Sequence, residues 1–269
     1  MADHPRRVDC LVVCGGDFHD FDYARREILA HLAEHDQVRA TVAPDYSDTD
    51  AIARADFLVT YTCNVRPSVA EQDALAAFVQ GGGRWFALHG TNAALDLSAT
   101  GVATPRVFPV LAEVLGSQFL AHPVPIEPYE VSVVDRAHWF TEGLDGFTAT
   151  DELYLSEHHD RDALVPLLET RWTGTAVGFD EAEWPDDVAH LVAYERPYGE
   201  GSVLYLTLGH CRGHYDMQPQ VRWYPEIERG SWDVPEFREL LRRGIRWGAG
   251  LLGDGVLGGE VRGAGASER

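Results

Sequence analysis

The chain has 269 residues, 45% of them hydrophobic and 10% aromatic, and a formal net charge of −21. A chain of that length and composition can bury a sizeable core, while its negative field repels phosphate backbones and anionic membrane surfaces, which argues against nucleic acid and membrane as partners. No run approaches the roughly 20 apolar residues of a membrane span, nothing near Met1 reads as a signal peptide, and Cys10, Cys14, Cys63 and Cys211 show no CxxC spacing. The expectation is a cytoplasmic protein with reduced thiols.

In chain order, Val8 to Cys14 (VDCLVVC) reads as a buried strand, with Cys10 and Cys14 on one face as small packed hydrophobes. It runs into the turn-rich loop Gly15-Gly16-Asp17-Phe18-His19-Asp20. Asp22 is placed to cap a helix with Ala24, Ile28, Leu29 and Leu32 as its apolar stripe. Val38 to Ala43 is the second strand, Asp48 to Arg54 a helical turn, and Asp56 to Tyr61 the third strand. Ser68 and Glu71 have the spacing of a capping box. The helix they open ends at Gly81-Gly82-Gly83, and Trp85 to Leu88 follows as a strand buried on both faces. Alternating strands and helices imply a parallel sheet with right-handed crossovers.

Beyond His89 the pattern changes. A helix is predicted from near Phe108 or Pro109. Tyr129 to Asp135, Phe147 to Ser156, Ala163 to Thr170 and Val188 to Glu195 read as strands of an antiparallel extension. Gly201 to Leu208 is the last core strand, ending in Gly209-His210, and Pro235 to Gly250 a closing helix. The expected organisation is a single domain over 1–252 and a flexible Gly-rich tail over 253–269.

Open α/β sheets present their chemistry beyond the carboxyl ends of their strands. His19, His89 and His210 fall there. His89 occupies the turn that carries a nucleophile in other folds, and an imidazole suits proton transfer or metal ligation rather than acyl transfer. His122 ends a short strand, and Asp151 and Glu152 interrupt an apolar run. A carboxylate beside a histidine can share a proton or a metal; alternatively Asp151 opens a strand and Glu152 faces water. Cys63 and Cys211 also lie past strand ends, yet His210 is a sequence neighbour of Cys211, and neighbours on extended backbone point apart. Trp223, Tyr224 and Trp232 form either a sugar-stacking wall or the packing of a loop.

Four segments together resemble the ThuA-like, or trehalose-utilisation, family: Gly82-Gly83 through His89-Gly90, Phe119 to Pro123, Asp151-Glu152-Leu153-Tyr154, and Gly199 through His210. Gly244-Ile245 and Trp247 resemble its closing helix. The resemblance implies a flavodoxin-like, doubly wound, mostly parallel α/β sheet similar to that of class I glutamine amidotransferases. Those enzymes carry a cysteine where this chain has His89, so a glutaminase is not expected. The resemblance also implies a link to carbohydrate metabolism and to 3-keto-sugars made by a partner dehydrogenase.

The functional expectation is therefore an isomerase, lyase or hydrolase acting on a sugar or keto-sugar, a small carbohydrate being the partner, in a chain that is a candidate homo-oligomer. His89, His210 and Glu152 are the expected catalytic residues, with His19, His122, Tyr154 and Trp223 binding substrate. His89, His122 and His210 are also candidate ligands of a divalent metal, zinc or manganese. The alternatives are a non-catalytic carbohydrate-binding or scaffold subunit, and a cysteine-dependent hydrolase or amidotransferase relative.

Overall fold

The computed structural model describes residues 4, 6–97 and 101–252. The tail expected over 253–269 lies outside them. The parallel half of the fold is β1 (Val8–Gly16), α1 (Phe21–Leu32), β2 (Val38–Ala43), α2 (Thr49–Arg54), β3 (Phe57–Cys63), α3 (Val69–Gln80) and β4 (Arg84–Leu88). Then come α4 (Pro109–Leu115), β5 (Ser117–Ala121), β6 (Pro128–Val133), β7 (Phe147–Thr150), β8 (Leu155–His158) and β9 (Val165–Arg171). The chain closes with β10 (Ala189–Tyr198), β11 (Gly201–Leu206) and α5 (Pro235–Gly248).

Among the described residues nine strands form one sheet in the order β2-β1-β3-β4-β11-β10-β9-β6-β7. The first five run parallel and the rest antiparallel, so the extension continues the core sheet rather than making a second one. β5 and β8 pair separately. The run Phe147 to Ser156 is therefore two strands, not one. Asp151 to Tyr154 links them across two sheets, because two carboxylates in an apolar run are carried out of the ladder toward polar partners.

Side-chain alternation along the strands separates two cores. Val12, Val59, Phe86 and Leu204 pack against α1 and α5 through Ile28, Phe237, Leu240 and Leu241. Leu11, Leu58, Trp85 and Val203 pack against α2, α3 and α4 through Ile52, Leu75 and Leu111. Each such fully buried side chain contributes about 1.5–3 kcal/mol by leaving water. The helices start where the sequence provides a cap. Ser68 and Glu71 form the capping box of α3. Pro109 and Pro235 sit in the first turns of α4 and α5. Asp20, not Asp22, caps α1, because its carboxylate accepts the Tyr23 N–H at 3.0 Å.

Registers align the carboxyl ends of the parallel strands on one edge: Gly16 opposite Cys63, Tyr61 opposite Leu88, and Leu88 opposite Leu206. Gly16 has φ +123°, and a Cβ there would stand 1.9 Å from the Cys63 carbonyl oxygen. A Cβ on Gly90 would stand 2.6 Å from the Thr62 carbonyl oxygen. Both flanking loops thus press against the end of β3, which only glycine permits.

Candidate functional site

Three of the edge loops each deliver one imidazole. His19 follows β1 through Phe18, which has φ +74°. His89 begins a short 3₁₀ turn after β4 with φ +46°, a left-handed conformation that costs a non-glycine residue of order 1–2 kcal/mol. The turn is held by Tyr205, whose hydroxyl donates to the His89 carbonyl at 2.5 Å, and by Tyr61, whose ring stacks on His89 at 5.9 Å. His210 follows β11 after Gly209, whose carbonyl accepts from Tyr61 and from the Trp232 indole, both at 2.7 Å.

All four histidines expected from the sequence, and Arg212, converge on one carboxylate. Glu152 lies 3.1 Å from His210 Nδ1, 3.4 Å from His89 Nε2, 3.5 Å from His122 Nε2 and 3.8 Å from His19 Nε2. Arg212 approaches it at 3.4 Å. Glu152 is 4% exposed, so it does not face water. Burial alone would raise its pKa, but the charges of His210 and His122 outweigh that and hold the carboxyl well below its usual range. The same attraction works on His210. Burial lowers its pKa, the Glu152 charge and the Glu228 hydrogen bond outweigh burial, and the imidazole is pushed up to about 9. His19 goes the other way, down to about 3, chiefly because burial disfavours its charged form.

Each cluster ring is fixed by its far nitrogen. His89 Nδ1 meets the Thr207 carbonyl at 2.7 Å, His19 Nδ1 the Asp17 carbonyl at 3.3 Å, and His210 Nε2 the Glu228 carboxylate at 2.7 Å. Glu228 is itself tied to Arg212 at 2.9 Å and to the Tyr224 hydroxyl at 2.9 Å. Tyr154 donates its hydroxyl to His89 Nε2 at 3.2 Å, and burial holds that phenol well above its ordinary pKa, so the proton stays on oxygen.

The cluster floors a cavity of about 110 Å³. His19, His122, Glu152, Tyr154 and Arg212 reach it, and its walls are largely apolar, with Phe18, Phe119 and Phe179 among them. His89 and His210 are 0% and 1% exposed and stand behind this floor rather than in the lining. His122 is the most accessible imidazole of the set, its side chain 16% exposed, with Nδ1 2.9 Å from the Pro123 carbonyl.

Two expectations need correction. Trp223 does not reach the cavity: it is 52% exposed and stacks on His214 at 4.0 Å, so it packs its own loop. His122 is not part of the tightest donor group, which is His19, His89, Glu152 and His210, with one donor atom from each within 4.8 Å of the others. Sequence reasoning missed Arg212 and Glu228 as partners, and Asp151 as the residue that ties the strand ends. The adjacent pair Asp151-Glu152 was the available signal, since two consecutive carboxylates become fully buried only when partners wait for both.

The thiols are poorly placed for nucleophilic work. Cys63 lines the cavity, but burial and then the Glu152 charge push its pKa above the ordinary range. Cys211 is pushed up to about 12, mainly by burial, and its sulfur contacts the Tyr61 hydroxyl and the Asp20 carbonyl rather than a histidine.

Sheet order and edge position together define an open α/β protein with a polar centre at the carboxyl ends of its parallel strands, where such folds hold ligands. The chain belongs to the ThuA family: the family model, described as trehalose utilisation, matches residues 9–224. A ThuA-like protein of Bacteroides uniformis ATCC 8492 is similar in fold, with a TM-score of 0.63, 17% identity, and 92% of this chain and 94% of that one covered. A ThuA-like protein of Parabacteroides merdae ATCC 43184 gives 0.55 at 14% identity, covering 95% and 93%. A β-galactosidase of Rahnella sp. R3 gives 0.53 at 12%, covering 92% of this chain but 32% of that one. No curated protein matches the sequence. Among the described residues no helix is long and apolar enough to cross a membrane.

Proposed function

We propose that the chain is an enzyme of carbohydrate metabolism that moves a proton on a sugar or keto-sugar bound in the cavity over Glu152. The observation that carries this reading is the convergence of four histidines and Arg212 on one buried carboxylate. Burying a carboxylate costs several kcal/mol, which its partners must offset. A pocket that only stacked a sugar on Phe18, Phe119 and Phe179 would need no such group.

The roles follow from which atoms reach the cavity. His122 has its Nδ1 proton on the Pro123 carbonyl, and its Nε2, 3.5 Å from Glu152, is the atom at the cavity wall that would exchange a proton between that carboxylate and the substrate. Proton removal beside a carbonyl also needs donors for the developing oxyanion. Arg212 is the cavity-lining donor, and the Tyr154 hydroxyl would join it by turning its proton from His89 to the oxyanion. His89 and His210 then act from behind, holding Glu152 and Tyr154 in place. The apolar walls exclude water from the reacting carbon and give the sugar ring faces to stack on.

The test is turnover of keto-disaccharides and their parent sugars, followed by NMR, with the wild-type protein and with His122→Gln. Wild-type turnover of a keto-sugar that falls by about 10²–10⁴-fold in His122→Gln is the expected result. Saturable sugar binding with no turnover would replace this reading by the carbohydrate-binding one.

A further inference from the structure

The hydrogen bonds of the cluster turn one donor atom from each of four residues toward a common point. A carbonyl oxygen only accepts, so His19 and His89, each facing a carbonyl through Nδ1, carry their protons there. Their Nε2 atoms then both present lone pairs, yet they stand 2.9 Å apart. His210 donates from Nε2 to Glu228, and its Nδ1 is a buried nitrogen without a hydrogen bond, 3.1 Å from Glu152 but off line. These three nitrogens and the Glu152 carboxylate gather at one point, where a divalent cation would take the place of the Tyr154 proton on His89 and of the proton on His210 Nδ1.

The geometry points to a divalent transition-metal site formed by His19 Nε2, His89 Nε2, His210 Nδ1 and the Glu152 carboxylate. Donors bound to one metal at about 2.0–2.1 Å sit roughly 3–3.5 Å from one another when adjacent. The distances already present, 2.9 Å between the two Nε2 atoms and 3.4 and 3.8 Å from these to Glu152, bracket that value. The outer contacts are those metal-bound imidazoles use: carbonyl, carbonyl and carboxylate on the far nitrogens fix the tautomer and aim each ring. Three imidazoles and one carboxylate favour zinc and its first-row neighbours over magnesium or calcium. His19 and Glu152 line the cavity, so the bound ion faces substrate, where it supplies Lewis-acid polarisation of a carbonyl or hydroxyl oxygen. The inference deepens the proposed reading of this pocket as a reactive centre, but stands on donor geometry.

The test is cobalt(II) titration of tag-free, chelator-stripped protein, followed by visible absorption, together with elemental analysis of the protein as purified. One equivalent of cobalt with the bands of a nitrogen-rich site is expected, displaced by zinc. His19→Ala should weaken binding by about 100-fold or more, and His214→Ala, outside the group, should leave it unchanged. Circular dichroism checks that each variant folds, and His210→Asn gives a second ligand deletion should His19→Ala fail to fold. Folded wild-type protein that takes up no cobalt or zinc at millimolar concentration overturns the site, as does a folded His19→Ala that binds like wild type. Metal binding without sugar turnover would keep this site and sink the functional proposal; turnover by stripped protein that takes up no cobalt or zinc would do the reverse.

Discussion

The carboxylate of Asp151 accepts the backbone N–H of His210 at 3.1 Å. The same group takes the N–H of Gly209 and of Ser231, each at 2.9 Å, and that of Glu152 at 2.9 Å. One side chain thus ties the link after β7 to the end of β11 and to the turn before α5, and thereby positions its neighbour Glu152. Asp151→Asn keeps the shape but puts an amide donor against N–H donors. Charge-assisted hydrogen bonds contribute about 1.5–3 kcal/mol each, so the variant should lose roughly 2–4 kcal/mol. In a chain of this size that lowers the melting temperature by several degrees. Differential scanning calorimetry checks it, and an unchanged melting temperature would show that the knot is slack.

His89 combines a strained turn with a place in the donor group. Asparagine tolerates left-handed backbone and valine does not. His89→Asn should keep most of the stability and lose turnover and cobalt binding. His89→Val should lose both function and at least about 1–2 kcal/mol more stability than His89→Asn. Paired melting curves and cobalt titrations separate the two effects; equal melting temperatures in the two variants would remove the argument from strain.

The thiols should be dispensable. Cys63→Ala and Cys211→Ala, each shown to fold by circular dichroism, are expected to keep turnover within an order of magnitude of wild type. A loss of a thousandfold or more in either would put a sulfur nucleophile at the centre of the chemistry.

Stability should fall in mild acid. Burial and then the nearby Arg161 charge lower the His158 pKa to about 4, and burial lowers that of His190. The unfolded chain takes up these protons near pH 6.5 and the folded one resists until about pH 4 for His158. Stability is therefore full above pH 6.5 and declines as pH drops from there toward 4. Melting temperatures measured at pH 7.5 and 5.0 should show the decline, and His158→Asn should make it shallower. An identical decline in His158→Asn would shift the effect to other groups.

The parallel half was legible because its central strands are buried on both faces and its helices carry caps: every residue of β3 is buried, and the Ser68–Glu71 box sits where its spacing placed it. His89 was legible from the glycine-flanked turn. What local pattern could not express were contacts made across the chain. His19 draws its meaning from His89, 70 positions away, and Arg212 from Glu152, 60 positions away. The Phe147 to Ser156 run has strand composition on either side of Asp151-Glu152, and its division there depended on partners that periodicity does not reveal. Trp223 had the composition of a sugar wall, but the nearby His214 ring satisfies it first.

The position of β11 between β4 and β10 has a consequence for how the chain matures. β1 and β4 present His19 and His89 as soon as the first ninety residues have folded, but His210 lies beyond the strand that must slot in beside β4, and Glu152 is anchored to its end through Asp151. A non-local insertion of this kind is among the slower steps of folding. Newly made chains should therefore acquire the donor group late and together rather than one residue at a time. Metal uptake during refolding would then report completion of the sheet, with secondary structure already formed before the first ion is held.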